Sequence, residues 1–269
     1  MNGENNFDLN KIIHLTMKTL NKSEEEFLDS LLNGLNNQIT TVNRWLNSKK
    51  AQQLFKDKPE DVIEYLEDAG LIDELEEIID DNTDESDDYV ATFFYLGQEV
   101  AYNQLTNPIE NTVADITALN ILTNYTHELI DDINHELLDG IIGAVSVGVL
   151  GGLAISEVIE KIINLPSTPI DSQVSVETRT VMSAVTEYTR GVNTGTLQTY
   201  SNNGVKLVDI ITAGDDLVCD DCLDLEANNP YTLSEVTGLI PCHPNCRCGV
   251  YLIESSEDNP SNPEIIDLT

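Results

Sequence analysis

Apolar residues recur at helical spacing along most of this chain and change to strand-like alternation only near residue 205. Residues 7–58 predict two or three amphipathic helices. Ser23, followed by Glu24, Glu25 and Glu26, reads as a helix start with acids at the positive end of the helix dipole. Phe27, Leu28, Leu31, Leu32 and Leu35 then form an apolar stripe. Pro59 opens a short acidic helix that ends near Gly70. Leu71, Ile72, Leu75, Ile78 and Ile79 mark the next. The run Asp80–Asp88 (DDNTDESDD) reads as an exposed loop, and it lacks the glycine and terminal glutamate of a calcium loop. Residues 89–139 are again helical in pattern, with a break at Asn107-Pro108.

Gly140–Ser156 is the one stretch that approaches a membrane span, with 17 uncharged residues. Its length is at the short limit and five glycines thin it, so it reads as core, with Gly148 and Gly152 at close-approach spacing. Leu165–Val176 holds two prolines and reads as a linker. A long helix follows from about Glu177 to Tyr200. Val208, Ile210 and Thr212 alternate as a strand, and Leu252-Ile253 closes a second, with loop, cysteine and proline between. Ser255–Thr269 shows no period before Ile265 and reads as a mobile tail. The expected fold class is α+β, predominantly α-helical, with a small C-terminal β-containing module. The expected divisions are 1–58, 59–149, 150–253 and a tail at 254–269. The polar start, Met1–Asp8, argues against a secretory signal.

Charge narrows the function. Forty-eight acidic residues against 13 basic ones give a net charge of −35 over 269 residues. That excludes an ordinary duplex-DNA binder, which needs a basic face, and argues against an anionic membrane surface. The excess is uneven: residues 1–58 hold eight basic and seven acidic side chains, whereas residues 59–160 contain no Lys or Arg. Self-repulsion on this scale suits high salt, where screening is strong, so a salt-loving host is expected; a merely acidic mesophile protein is the alternative. The near-neutral first 58 residues are the expected contact for a protein partner.

Candidate chemistry is concentrated near the C-terminus. All five cysteines fall within 30 residues, as Cys219-x-x-Cys222 and then Cys242-His243-x-x-Cys246-x-Cys248. Two short-spaced pairs on separate turns point their side chains at one centre, the geometry of a structural zinc knuckle. The expected ligands are Cys219, Cys222, His243 and Cys246, with Cys248 an alternative to His243 and Cys242 surplus. Four protein ligands leave no open position, so the Zn2+ is expected to be structural. An odd cysteine count weakens a disulfide reading. Asp220 and Asp221 oppose a reactive thiolate. His127, Asp131 and His135 fall at i, i+4 and i+8, a spacing that can hold a metal, but without a second histidine at the zinc-protease spacing they read as polar surface.

Around the cysteines the order Thr186-Glu187-x-x-Arg190-x-x-Asn193, Tyr200, Gly204-Val205, Thr212-x-x-Asp215-x-x-x-Cys219-x-x-Cys222 and Pro241-x-His243-Pro244-Asn245-Cys246-Arg247-Cys248 resembles the Mu-type minor head proteins, the head morphogenesis family of tailed viruses. The resemblance covers about residues 150–253. The chain departs from the family pattern at Ile210 or Ile211, where an aromatic residue is usual, and at Cys242, a position commonly apolar.

The resemblance implies a low-copy virion component, made in the host cytoplasm and lying inside the capsid near the portal. It implies the portal protein and other head proteins as partners, with packaged DNA near but not specifically bound. It also implies a role in head assembly, packaging or ejection rather than an enzymatic one. The alternative from another class is a virion-delivered hydrolase or transferase using Glu187. A nucleic-acid-binding zinc knuckle is disfavoured, because Asp220, Asp221, Asp224 and Glu226 stand where such knuckles carry bases.

Overall fold

In the computed structural model of the chain, residues 21–105, 108–109, 113–169, 174–215 and 217–253 are described. The expected break at Asn107 and the expected mobile tail lie outside them. The helices in chain order are α1 (Lys22–Leu46), α2 (Lys49–Asp57), α3 (Val62–Asp68), α4 (Leu71–Tyr102), α5 (Val113–Leu150), α6 (Ile155–Asn164), α7 (Val176–Asn202), α8 (Asp220–Ala227) and α9 (Leu233–Val236). Three short strands, β1 (Leu207–Ile211), β2 (Tyr231–Thr232) and β3 (Gly249–Leu252), form an antiparallel sheet ordered β2-β1-β3. The α+β class, mostly helical with a small sheet near the C-terminus, is therefore observed. Two compact units divide the described residues: 26–86 with 127–181, and 21–25 and 87–126 with 182–253.

In the first unit, α1 buries Phe27, Leu28, Leu31 and Leu35, and α4 buries Leu71, Leu75 and Ile79. The predicted loop at Asp80–Asp88 is instead continuous helix within α4. The reason lies in its neutral residues. Asn82, Thr83 and Ser86 are buried at i, i+1 and i+4, whereas the acids at 80, 81, 84, 85 and 88 face solvent. The inward face is polar, and a ladder of amides ties it to α1 and α5. Gln38 donates to Asn134 (2.9 Å), Asn134 donates to Asn82 (3.0 Å), and Asn82 donates to the Ser30 carbonyl (3.0 Å). Buried amides paired in this way specify one register of helix packing.

The glycine-rich stretch after residue 140 is not uniformly core. Ile141 and Val145 are buried, but Val147 is 64% and Leu150 88% exposed. The helix ends at Leu150. Gly148 admits α6 at close range, because a Cβ there would lie 2.3 Å from Val158, and Gly152 turns the chain at φ +64°.

In the second unit, α4 and α7 approach to backbone contact. A Cβ on Gly97 would lie 1.9 Å from the Val192 carbonyl oxygen, and one on Gly195 would lie 2.0 Å from that of Phe94. Thr196 Oγ1 donates to the Gly97 carbonyl (3.0 Å), and Phe93 meets Tyr188 edge to face at 5.0 Å. The sheet packs its inner side into a core with Tyr200, Val205, Val208, Ile210 and Val250. Val208 pairs with both Tyr231 and Leu252. The residues between β1 and β3, expected to be loop, contain α8, β2 and α9. Their helical starts are capped locally: Cys219 Sγ accepts from Cys222 N, and Thr232 and Glu235 form a capping box.

The start of α1 also differs from expectation. Asn21, not Ser23, caps it: Asn21 Oδ1 accepts from the N–H groups of Ser23 and Glu24 at 3.0 Å, and Glu24 reaches back to Asn21 N at 2.7 Å.

Candidate metal centre

Two turns build the centre. The first is the N-terminus of α8, where the Cys219 side chain caps the helix and Cys222 sits one turn later, buried. The second is the turn 242–248, where Asn245 takes a left-handed conformation (φ 65°) and the Cys246 N–H donates to the His243 carbonyl at 3.1 Å. This turn is fixed from α7: Asn245 N–H donates to Thr186 Oγ1 (3.0 Å). The amide of Asn193 donates to the Cys248 carbonyl (2.8 Å) and accepts from Val250 N–H (3.1 Å).

The ligand atoms of Cys222, Cys242, His243 and Cys246 all lie within 4.8 Å of one another. Cys222 Sγ is 3.5 Å from Cys242 Sγ, 4.0 Å from Cys246 Sγ and 3.2 Å from His243 Nε2, and Cys242 and Cys246 are 3.8 Å apart. A tetrahedral ion with metal–sulfur bonds of about 2.3 Å requires sulfurs about 3.8 Å apart. The cluster therefore has the dimensions to hold a metal ion. His243 Nδ1 lies 2.8 Å from the Pro244 carbonyl oxygen, which places the proton on Nδ1 and leaves the Nε2 lone pair for the cluster.

Charge favours a cation there. Cys248 donates to Cys246 and draws its thiol down to about 5, while burial pushes Cys222 up to about 11 and Cys242 higher still. One thiolate is accommodated and further ones repel it, so a dication is what lets several ionise together.

Of the expected ligands, Cys222, His243 and Cys246 fall within the cluster. Cys219 Sγ lies 3.1 Å from His243 Nε2, at the edge of the group, and Cys248 sits beside Cys246. Cys242, set aside from sequence, is a member. Its i, i+4 spacing to Cys246 across one tight turn was the available signal.

Other candidates resolve differently. His135 pairs with Asp131 (3.3 Å) and Glu76 (3.1 Å) at the surface. Glu187 is 1% exposed; its carboxylate accepts from Thr126 Oγ1 (3.0 Å) and from Arg190 Nε (3.1 Å), and burial raises its pKa against the pull of Arg190. Arg247, the one base inside the cysteine turn, lies 3.6 Å from the buried Glu24 and 4.0 Å from Asp215. Compared with protein-family models, curated proteins and solved structures, the chain matches none of them.

Proposed function

We propose that the chain is a structural minor capsid protein of a tailed virus, acting in head assembly, packaging or ejection from inside the capsid near the portal, and that its cysteine–histidine cluster holds one structural zinc ion. One observation carries this reading: three residues of the minor-head resemblance, Thr186, Asn193 and Asp215, converge on the segment 242–250. Thr186 holds Asn245, Asn193 spans Cys248 and Val250, and Asp215 meets Arg247. Residues dispersed over more than sixty positions thus act as one small structural unit, as a family motif of structural origin would. The burial of Glu187, with both carboxylate oxygens occupied, supports a bracing role for it.

The portal and other head proteins are the partners on this reading, with DNA near but not specifically bound. The exposed lysines Lys49, Lys50 and Lys56 on α2 are the basic surface of the near-neutral N-terminal segment and its contact with an acidic partner face. Mass spectrometry of purified particles of the encoding virus tests the assignment. The chain is expected in DNA-filled heads at few copies, and it should co-purify with the portal protein of the same genome until Lys49→Glu/Lys50→Glu/Lys56→Glu is introduced. Absence from the particles would overturn the reading.

A further inference from the structure

Within the second unit, α5, α7 and the residues around α9 line an open groove of about 710 Å3. Helix α5 contributes Ala118, Ile121, Leu122 and Tyr125, and α7 contributes Arg190, Thr194, Leu197 and Ser201, each set at helical spacing along one face. Leu233 and Ile240 close the third side. Two helix stripes lying side by side leave the seat of a third helix. The rim of the groove is uncovered, with Ile121 67% and Tyr125 49% exposed, whereas Leu122 and Ile240 form its buried floor.

Arg190 is the only charged side chain among the lining residues. It is held from two sides: its Nε donates to the buried Glu187 at 3.1 Å, and its guanidinium lies 4.8 Å from the Tyr125 ring centroid. Nη1 and Nη2 have no hydrogen-bond partner among the described residues. A guanidinium braced through Nε and stacked on an aromatic ring presents a fork that fits a carboxylate.

We propose that this groove is the docking site for an amphipathic helical segment of another protein, with aliphatic side chains on one face and one aspartate or glutamate among them. Charge complementarity selects this occupant. The one charge in the groove is a cation in a chain of −35, so a basic segment would meet repulsion at Arg190, and an acidic one gains a paired carboxylate. From Arg190 to Ser201 the groove runs about 16 Å, which seats about three turns of helix. The inference is independent of the capsid reading, because it rests on the groove alone.

Random 12-residue peptides displayed on a library and selected on the immobilised full-length, zinc-loaded chain supply the probe. The enriched peptides are expected to share one acid flanked by Leu, Ile or Phe at helical spacing. In fluorescence anisotropy, Ile121→Asp, a change at an exposed position, should weaken their binding by about tenfold or more, the scale of a central interface anchor. Arg190→Lys should weaken acid-bearing peptides and leave their amide counterparts unchanged. No enrichment, enrichment of peptides without an acid, or indifference to Ile121→Asp would overturn the proposal. So would a tenfold gain in affinity on removing residues 254–269, because the occupant would then belong to this chain.

Discussion

Asn193 spends its whole amide on the entry to β3: Nδ2 donates to the carbonyl of Cys248, the residue before the strand, at 2.8 Å, and Oδ1 accepts from Val250 N–H at 3.1 Å. Both backbone groups are buried, so removing the amide leaves a donor and an acceptor without partners. Asn193→Ala is expected to lower stability by about 2–6 kcal/mol, from two unsatisfied groups at about 1–3 kcal/mol each. Urea unfolding of the metal-loaded protein measures it. A loss under 1 kcal/mol would mean that the strand is held by other contacts.

The glycines of the α4–α7 crossing make a second test. Gly97→Ala and Gly195→Ala each drive a Cβ into a backbone carbonyl, at 1.9 and 2.0 Å, where neither helix can yield cheaply. Each should cost about 3 kcal/mol, at the upper end of overpacking. Gly143→Ala is the control. That position meets nothing within 4 Å inside α5, so alanine should stabilise by about 0.5–1 kcal/mol through helix propensity. Thermal melts of the three variants separate the two predictions.

Much of the helical architecture is legible in sequence because it is written in apolar spacing. Leu71, Leu75 and Ile79 announce their helix, and Val208 and Ile210 their strand. What escapes is specification by polar atoms. Asn82, Thr83 and Ser86 face inward from an acidic run that reads as solvent-loving, and the partners of Asn82 come from α1 and α5, more than forty residues away in the chain. In the cysteine–histidine cluster the two cysteine-bearing turns are visible from spacing. The membership of Cys242 depends on how the turn 242–248 is folded by Thr186 and Asn193, which spacing alone does not encode.

Metal removal is the direct test of the cysteine cluster. The turn 242–248 and α8 bury little beyond their own cysteines and a few aliphatics, so the proposed zinc ion would contribute folding energy to this segment. Chelation should release one zinc per chain by elemental analysis and make backbone amides of residues 207–252 exchange rapidly. Cys222→Ser and Cys246→Ser should each abolish stoichiometric zinc. The three variants Cys219→Ser, Cys242→Ser and Cys248→Ser then rank the remaining thiols. Unchanged exchange after complete metal removal would reject a structural role.

Glu187 gives a pH dependence with a definite sign. Burial raises its folded-state pKa above the ordinary carboxyl value of 4.5, so the folded protein keeps a proton that the unfolded chain has released. Stability from this group is therefore present at low pH and is lost as pH rises from 4.5 through the raised value. Glu187→Gln keeps one acceptor oxygen, at the position that takes both Thr126 and Arg190, without the buried charge. Its urea midpoint should gain on the native protein as pH rises from 4.5 to 7.5. Parallel profiles would show that Arg190 fully offsets the burial.

Salt should act in the opposite sense to its usual effect on paired surfaces. The acids at 80, 81, 84, 85 and 88 lie exposed on one face of α4 with no base in the same stretch. Raising salt from about 0.15 to 1 M shortens the screening length from about 8 to 3 Å and relieves that repulsion. The melting temperature should climb with salt into the molar range, and a flat profile would exclude a saline host.

The ion pair between Glu24 and Arg247 joins residues 223 positions apart. At about 5–20 residues per second, Glu24 leaves the ribosome at least about ten seconds before its partner exists. During that interval a carboxylate destined for burial has no counter-charge, and the first turn of α1 has no mate in the cysteine turn. Completion of the second unit is therefore a late event in synthesis, timed by the arrival of one arginine among the cysteines.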